Sequence, residues 1–115
     1  MTTAMKTLVV AAALALLAGC APGVPVAIAN HSSHKLENVV VSGVGFSESV
    51  AAIGAGGGET LHVRPKGPSW FKVAFDVDGQ RYSSRSADPD SDNPVIRVAA
   101  TIEEDLSITI DTNPQ

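Results

Sequence analysis

Cysteine is nearly absent from this sequence, which has one, Cys20, among 115 residues. An internal disulfide is therefore excluded, and the fold has to be stabilised by its apolar core. From Cys20 to the end the chain has 96 residues. A domain of that size buries somewhat above about 60% of the surface of its unfolded chain. This length allows one modest core and leaves no room for a second domain.

Positive charge is also scarce. The sequence has eight Lys and Arg residues, of which Lys6 precedes Cys20. The rest of the chain therefore contains seven basic residues and twelve acidic ones. The resulting net charge is −5 with neutral histidines, and no basic cluster occurs. Nucleic acids, whose binding depends on clustered Lys and Arg, are therefore excluded as expected partners.

Long apolar runs are missing, apart from one near the start. Residues 7–19 follow Lys6 and contain leucine, valine and alanine without a charged residue. A membrane-spanning helix needs roughly 20 apolar residues, so this run is too short to span a bilayer. It is typical of the hydrophobic segment of a signal peptide.

The apolar run ends in Leu17-Ala18-Gly19-Cys20, which resembles the lipobox of bacterial lipoproteins. The resemblance implies cleavage before Cys20, a thioether-linked lipid on its sulfur, and acylation of the new amino terminus. It divides the chain into a signal peptide at residues 1–19, a lipidated tether at 20–23 and a folded domain at 24–112. Two alternatives remain open, namely a secretory signal cleaved elsewhere and an uncleaved membrane anchor.

After the signal segment, helical periodicity gives way to the alternation that is typical of β-strands. The first strand alternates from Val24 to Ala29 and is ended by Asn30-His31-Ser32-Ser33. The clearest strand carries Phe71, Val73, Phe75 and Val77 on one face. Asp78-Gly79 after it predicts a two-residue type I′ hairpin. Further strands are predicted at 36–42, 60–64, 80–84, 96–102 and 106–110, with a short apolar segment at 50–53.

Seven short strands separated by turn signals predict an all-β fold, an antiparallel Greek-key β-sandwich, with a small β-barrel as the alternative. Segments such as Ile28-Ala29-Asn30, Val63-Arg64-Pro65 and Phe75-Asp76-Val77-Asp78 resemble the immunoglobulin-like sandwich modules of bacterial envelope proteins. This resemblance implies a fold and carries over no functional residue.

Three aspartates at alternate positions, Asp88, Asp90 and Asp92, have the spacing that opens a calcium-binding loop. The match then fails, because Asn93 stands where such loops have glycine and Ala99 where they have a bidentate glutamate. We therefore expect a solvated acidic turn, with these aspartates as weak metal candidates only.

The three histidines are His31, His34 and His62, and a zinc site would need all of them to converge. We expect His31 and His34, beside the end of a strand, to be exposed loop residues instead. The sequence has no Gly-x-Ser-x-Gly motif and no spare cysteine nucleophile, and the glycines at 54–58 lead into a strand rather than a helix. No catalytic residue, cofactor or metal is assigned, and we do not expect an enzyme.

Two aromatic residues, Trp70 and Tyr82, are possible contacts for a protein partner, since exposed aromatic side chains often anchor interfaces. The alternative, which we favour, is that Trp70 packs beside Tyr82 as a cross-strand pair while Phe71 enters the core.

These features predict a lipoprotein held in the membrane through Cys20. Alanine rather than aspartate follows Cys20, which in enteric-type bacteria implies the inner leaflet of the outer membrane, facing the periplasm. In a Gram-positive cell the domain would lie on the outer face of the plasma membrane. The expected function is a non-catalytic protein-interaction or structural module of accessory, immunity or inhibitor type, with a protein partner in the envelope. The alternative is a ligand-binding or hydrolytic lipoprotein acting on cell-wall material.

Overall fold

The computed structural model describes residues 23–90 and 92–114, so the predicted signal peptide and Cys20 lie outside the described residues. Across these ranges, none of the chain forms a helix long and apolar enough to cross a membrane. The strands are β1 (Val24–Asn30), β2 (Leu36–Gly43), β3 (Phe46–Ile53), β4 (Gly58–Val63), β5 (Phe71–Val77), β6 (Gln80–Arg85), β7 (Val98–Ile102) and β8 (Ile108–Thr112).

The eight strands form two four-stranded sheets that pack into a β-sandwich, which confirms the predicted fold class. One sheet has the order β4-β1-β7-β8 and the other β3-β2-β5-β6. The chain crosses between the sheets after β1, β3, β4 and β6, as in Greek-key sandwiches. Within the described residues the sheets do not close, so the alternative of a barrel is wrong.

Two details of the sheets differ from the prediction. The apolar segment at 50–53 is the end of a longer strand, β3, so the structure has eight strands rather than about seven. The first half of β3 carries the exposed residues Ser47, Glu48 and Ser49, because an edge strand does not need an apolar face throughout. In addition, β1 runs parallel to β7, with Val26 opposite Val98, whereas the other strand pairs described are antiparallel.

The core lies between the sheets and consists of the inward-facing residues of the strands. All four apolar residues that alternate along β5 are buried, and Phe75 among them is 0% exposed. A buried aliphatic or aromatic side chain contributes about 1.5–3 kcal/mol relative to an exposed one. The rest of the cluster comprises Val26, Ile28, Leu36, Val39, Val41, Ile53, Val63, Val98, Ala100 and Ile102.

Both strands near the C-terminus start later than predicted. Ile96 stays outside β7, because its backbone N–H donates to Asn113 Oδ1 at 2.7 Å instead of joining the sheet ladder. Leu106 lies in the β7–β8 turn with a φ of 68°, so β8 begins at Ile108. Asp105 stabilises this turn by accepting hydrogen bonds from the N–H and hydroxyl of Ser107.

The β5–β6 hairpin forms as predicted. Asp78 and Gly79 have φ values of 50° and 80°, and Val77 lies opposite Gln80. Positive φ at both central residues is the requirement of a type I′ turn, which matches the twist of the flanking strands.

The strand directions define two ends of the sandwich. Gly23 leads into β1 at one end, which also carries the turn at 44–45, the loops at 64–70 and 86–97, and residues 113–114. We call it the tether end. The opposite end, called the far end, carries the connections at 31–35, 54–57, 78–79 and 103–107. β1 has seven residues, and at about 3.3 Å per residue the two ends are separated by about 20 Å.

Candidate functional site

The tether end contains an open apolar pocket of about 330 Å³. Two long loops supply most of its wall, including four prolines, and the ring of Phe71 adds to it. Because proline has a fixed φ and no N–H, this wall is stiff and has few hydrogen-bond donors. Such a pocket suits an apolar group of a ligand. It is lined by Val24, Pro65, Gly67, Pro68, Ser69, Phe71, Pro89, Asp90, Pro94 and Val95.

The first of these loops is fixed to the turn between β2 and β3. Ser69 is buried, and its Oγ accepts a hydrogen bond from the N–H of Val44 at 2.8 Å and donates to the carbonyl of Trp70 at 2.6 Å. The backbone of Gly43 passes so closely that a Cβ there would lie 2.4–2.5 Å from the Phe46 ring, Ser69 Oγ and the Trp70 carbonyl. A residue without a side chain is therefore required at this position.

The second loop is held at both ends by side chains. Ser86 Oγ accepts a hydrogen bond from the N–H of Phe71 at 2.9 Å, and the N–H of Ser86 donates to the Phe71 carbonyl at 2.8 Å. Near the other end of the loop, Asn113 Nδ2 donates to the Pro94 carbonyl at 3.0 Å. The pocket wall is thus anchored to β5 and to the C-terminal segment.

The aspartates of the second loop are engaged in local contacts. Asp88 forms an exposed ion pair with Arg85 at 2.9 Å. Asp90 Oδ1 accepts a hydrogen bond from the N–H of Asp92 at 2.9 Å. In the described ranges no group of three His, Cys, Asp or Glu side chains has the arrangement of a metal site. These contacts describe a hydrogen-bonded acidic turn.

The three histidines lie apart, so they do not form one zinc site. His62 is in β4 opposite Pro25, close to the start of β1. His31 and His34 follow the other end of β1 and are exposed, as predicted for loop residues. About 20 Å of strand separates the two positions.

At the far end, the loops are held together by a buried asparagine whose role the sequence does not predict. The side chain of Asn30 is 0% exposed. Its Nδ2 donates to the carbonyls of His34, Ile53 and Gly54 at 2.7–3.3 Å. Its Oδ1 accepts hydrogen bonds from the N–H and hydroxyl of Ser32. One amide therefore joins the β1–β2 loop to the β3–β4 connection. The weak signal in the sequence is that a polar residue directly ends a strongly alternating strand.

Trp70 and Tyr82 have different neighbours, so the predicted pairing of the two rings is wrong. Tyr82 stacks on Phe75, directly opposite it in the sheet, with 5.6 Å between ring centroids. Trp70 is half-buried at the tether end, and the Arg85 guanidinium lies 5.1 Å from its ring centroid. The register of β5 and β6 places Tyr82 opposite Phe75, five residues after Trp70, so the two rings cannot form a cross-strand pair.

Charged residues are unevenly distributed along the strands. The half of the sandwich near the far end carries seven acidic and two basic residues, and the half near the tether end carries five of each. The first group is Glu37, Glu59, Asp76, Asp78, Glu103, Glu104 and Asp105 with Lys35 and Arg81. The second is Glu48, Asp88, Asp90, Asp92 and Asp111 with Arg64, Lys66, Lys72, Arg85 and Arg97. The far half therefore has an excess of acidic side chains, whereas acidic and basic side chains balance in the tether half.

One exposed polar cluster in the acidic half links β2, β5 and β6. Asn38, at a bulge with a φ of 48°, donates from Nδ2 to Asp76 Oδ2 at 3.0 Å. Arg81 pairs with Asp76 Oδ1 at 2.9 Å and donates to the Asn38 carbonyl at 3.1 Å. The hydrogen bond from Asn38, followed by that from Arg81, lowers the pKa of Asp76 below its ordinary value. The cluster connects strands rather than forming a site for a ligand.

Comparisons with known proteins bear on the fold. No protein-family model matches the chain, and no curated protein matches it either. The chain is similar to an NMR structure of a protein from Eubacterium rectale, with a TM-score of 0.62, covering 83% of this chain and 92% of the other. Sequence identity is 12%, so the similarity supports the sandwich fold alone.

Proposed function

We propose that the protein is a lipoprotein of the bacterial cell envelope whose β-sandwich is a non-catalytic protein-interaction or structural module. The position of Cys20 carries the proposal. Only Ala21, Pro22 and Gly23 separate this cysteine from β1. A lipid on Cys20 would hold the whole sandwich close to a bilayer, because acylation on two or three chains gives stable attachment where a single chain gives marginal binding.

The alanine at position 21 supports sorting to the inner leaflet of the outer membrane in a cell with two membranes. The domain would then face the periplasm. In a cell with a single membrane, the same anchor would present the domain on the outer face of the plasma membrane.

A structural or interaction role is supported by what the polar side chains do. The hydrogen-bonding atoms of Asn30, Ser69 and Asn113 hold loops to a strand, to the β2–β3 turn and to the C-terminal segment. Asp76 joins neighbouring strands through Asn38 and Arg81. These groups stabilise a rigid frame, and the proposed module would use its surface to bind an accessory, target or cognate protein of the envelope.

Substitution of Cys20 tests the anchor. The Cys20→Ser protein should leave the membrane fraction and should not incorporate a palmitate analogue during growth, because the lipid acceptor is missing. Ala21→Ser is the matched control, since it changes the adjacent residue and keeps the acceptor. Membrane attachment of Cys20→Ser at the wild-type level would contradict the lipoprotein proposal.

A partner is tested by chemical crosslinking in intact cells, followed by purification of the full-length protein in detergent. We expect one envelope protein to be recovered in stoichiometric amount. Recovery of the bait alone, at protein levels that match the wild type, would contradict the interaction role.

A second candidate function is ligand binding to cell-wall or envelope material, and the pocket at the tether end favours it. Muropeptides and lipids can be titrated calorimetrically against the purified protein and its Val95→Asp variant. Saturable binding that Val95→Asp abolishes would support this candidate, and release of cleaved products would extend it to hydrolysis.

A further inference from the structure

The exposed aliphatic residues of the described chain collect at one end of the sandwich. Ile96 is 67% exposed and Val44 is 37% exposed, whereas the other large hydrophobic residues described are buried or partly buried. Both lie at the tether end, in the loop at 86–97 and in the β2–β3 turn. Ile96 borders a shallow cleft that also includes Gly23 and Val24. Ile96 also follows Val95, which lines the larger apolar pocket at this end. An exposed apolar residue that continues an apolar pocket indicates a surface that contacts a protein or a membrane.

We infer that the tether end is a membrane-docking face, on which the sandwich stands upright with Ile96 and Val44 in the headgroup region of the bilayer. This inference rests on the proposed lipidation of Cys20. It goes further because it assigns to the domain an orientation and inserted residues that lipidation of Cys20 does not specify.

The length of the tether supports this orientation. Four residue steps separate Cys20 from Val24, so the two Cα atoms are at most about 14 Å apart. The sandwich is about 20 Å long between its ends. The tether is therefore too short for the far end to turn over and rest on the bilayer, while it brings the tether end into direct reach of the surface.

The charge distribution selects the upright orientation over one in which the sandwich lies on its side. Seven acidic residues against two basic ones occupy the far half, and five of each occupy the tether half. Bacterial bilayers contain anionic lipids, which repel acidic surfaces and attract Lys and Arg near the surface. The N–H of Lys66 donates to the carbonyl of Val44 at 2.9 Å, and Arg97 follows Ile96 in the chain. Each exposed aliphatic residue therefore has a basic residue as a neighbour, whose charge favours an anionic bilayer surface.

Fluorophores at single sites test the docking face on the full lipidated protein. The thiol of Cys20 is consumed by lipid in the proposed mature form, so an introduced cysteine is the one thiol available for labelling. Ile96→Cys and Val44→Cys report on the tether end, and Ala55→Cys, in the exposed loop at 54–57, is the matched control at the far end. Each variant is labelled with nitrobenzoxadiazole and reconstituted into vesicles of phosphatidylethanolamine and phosphatidylglycerol.

We expect labels at positions 96 and 44 to show blue-shifted emission and to lose intensity when nitroxide-bearing lipids are included. The label at position 55 should keep the emission of a dye in water. Protein that fails to float with the vesicles would contradict the lipid anchor itself. Water-like emission at all three positions on floating protein would overturn the docking face and leave the anchor intact. A label at position 96 that is shielded in native envelope membranes and not in pure lipid would assign this end to a protein partner and would also overturn the inference.

Discussion

At the scale of single residues, buried polar and close-packed positions hold together loops that are distant in the sequence. Asn30 satisfies backbone groups of two connections with one amide, and Gly43 lets the β2 backbone pass next to Ser69 and Trp70. Sequence patterns predict Asn30 as the end of a strand, because asparagine favours turns. Its burial could not be predicted, since the groups it contacts arrive through the pairing of other strands.

Replacement of Asn30 by alanine should destabilise the fold by about 2–4 kcal/mol, because buried backbone carbonyls and the N–H of Ser32 lose their partner. Thermal or urea unfolding of the purified protein measures the effect. His31→Ala, at the exposed neighbouring position, should change stability by less than about 0.5 kcal/mol. Equal stability of the two variants would show that the Asn30 network contributes nothing.

Gly43→Ala should destabilise the protein by about 1–3 kcal/mol, since the added methyl group overlaps the Phe46 ring and two oxygen atoms. Gly54→Ala is the matched control, because a Cβ at position 54 meets nothing within 4 Å. The same unfolding experiment compares them. A Gly43→Ala protein as stable as Gly54→Ala would contradict the close approach of β2 to the loop at 64–70.

At the scale of elements, alternating hydrophobicity is sufficient to predict a strand that packs one apolar face against the core. The β5 strand and its Asp78-Gly79 hairpin agree with the prediction for this reason. The edge strand β3 was only partly predicted, because its first residues are exposed and polar. The predicted start of β7 at Ile96 is wrong, because the N–H of Ile96 donates a hydrogen bond to the side chain of Asn113, which lies 17 residues later in the chain. Local patterns carry no information on such long-range contacts.

Phe75→Ala should lower the free energy of unfolding by about 3–5 kcal/mol, since it removes a fully buried ring that stacks on Tyr82. Lys72→Ala, on the exposed face of the same strand, should have a small effect. Both are measured by thermal melts followed by circular dichroism. An unchanged midpoint for Phe75→Ala would mean that the faces of β5 are assigned wrongly.

The loop at 86–97 should not bind calcium tightly. Simultaneous replacement of Asp88, Asp90 and Asp92 by asparagine should leave the fold intact, and the wild type should bind calcium with a Kd of about 10⁻³ M or weaker. Titration calorimetry measures the affinity. Micromolar stoichiometric binding that the triple substitution abolishes would make this loop a metal site.

At the scale of the whole molecule, the sequence is sufficient to predict a small all-β sandwich, while the composition of its two ends emerges only in the folded structure. The pocket combines Val24 with loops that begin some forty and sixty residues later along the chain. The acidic far half likewise collects residues from β2, β4, β5 and the β7–β8 turn. Strand order and direction create both features, and neither can be derived from the spacing of residues along one segment.

The parallel pairing of β1 with β7 also determines the order in which the sandwich can assemble. Val26 pairs with Val98, 72 positions later, whereas β2–β3 and β5–β6 are local hairpins. Because distant contacts require costly loop closure, we expect the hairpins to form early and β1 to join late. Folding kinetics should give Val26→Ala a φ-value near 0 and Val73→Ala one of about 0.5 or more; a higher value at Val26 would contradict this order. Under the proposed anchoring, the strand that directly follows the lipidated tether therefore completes its pairing only after β7 has been exported.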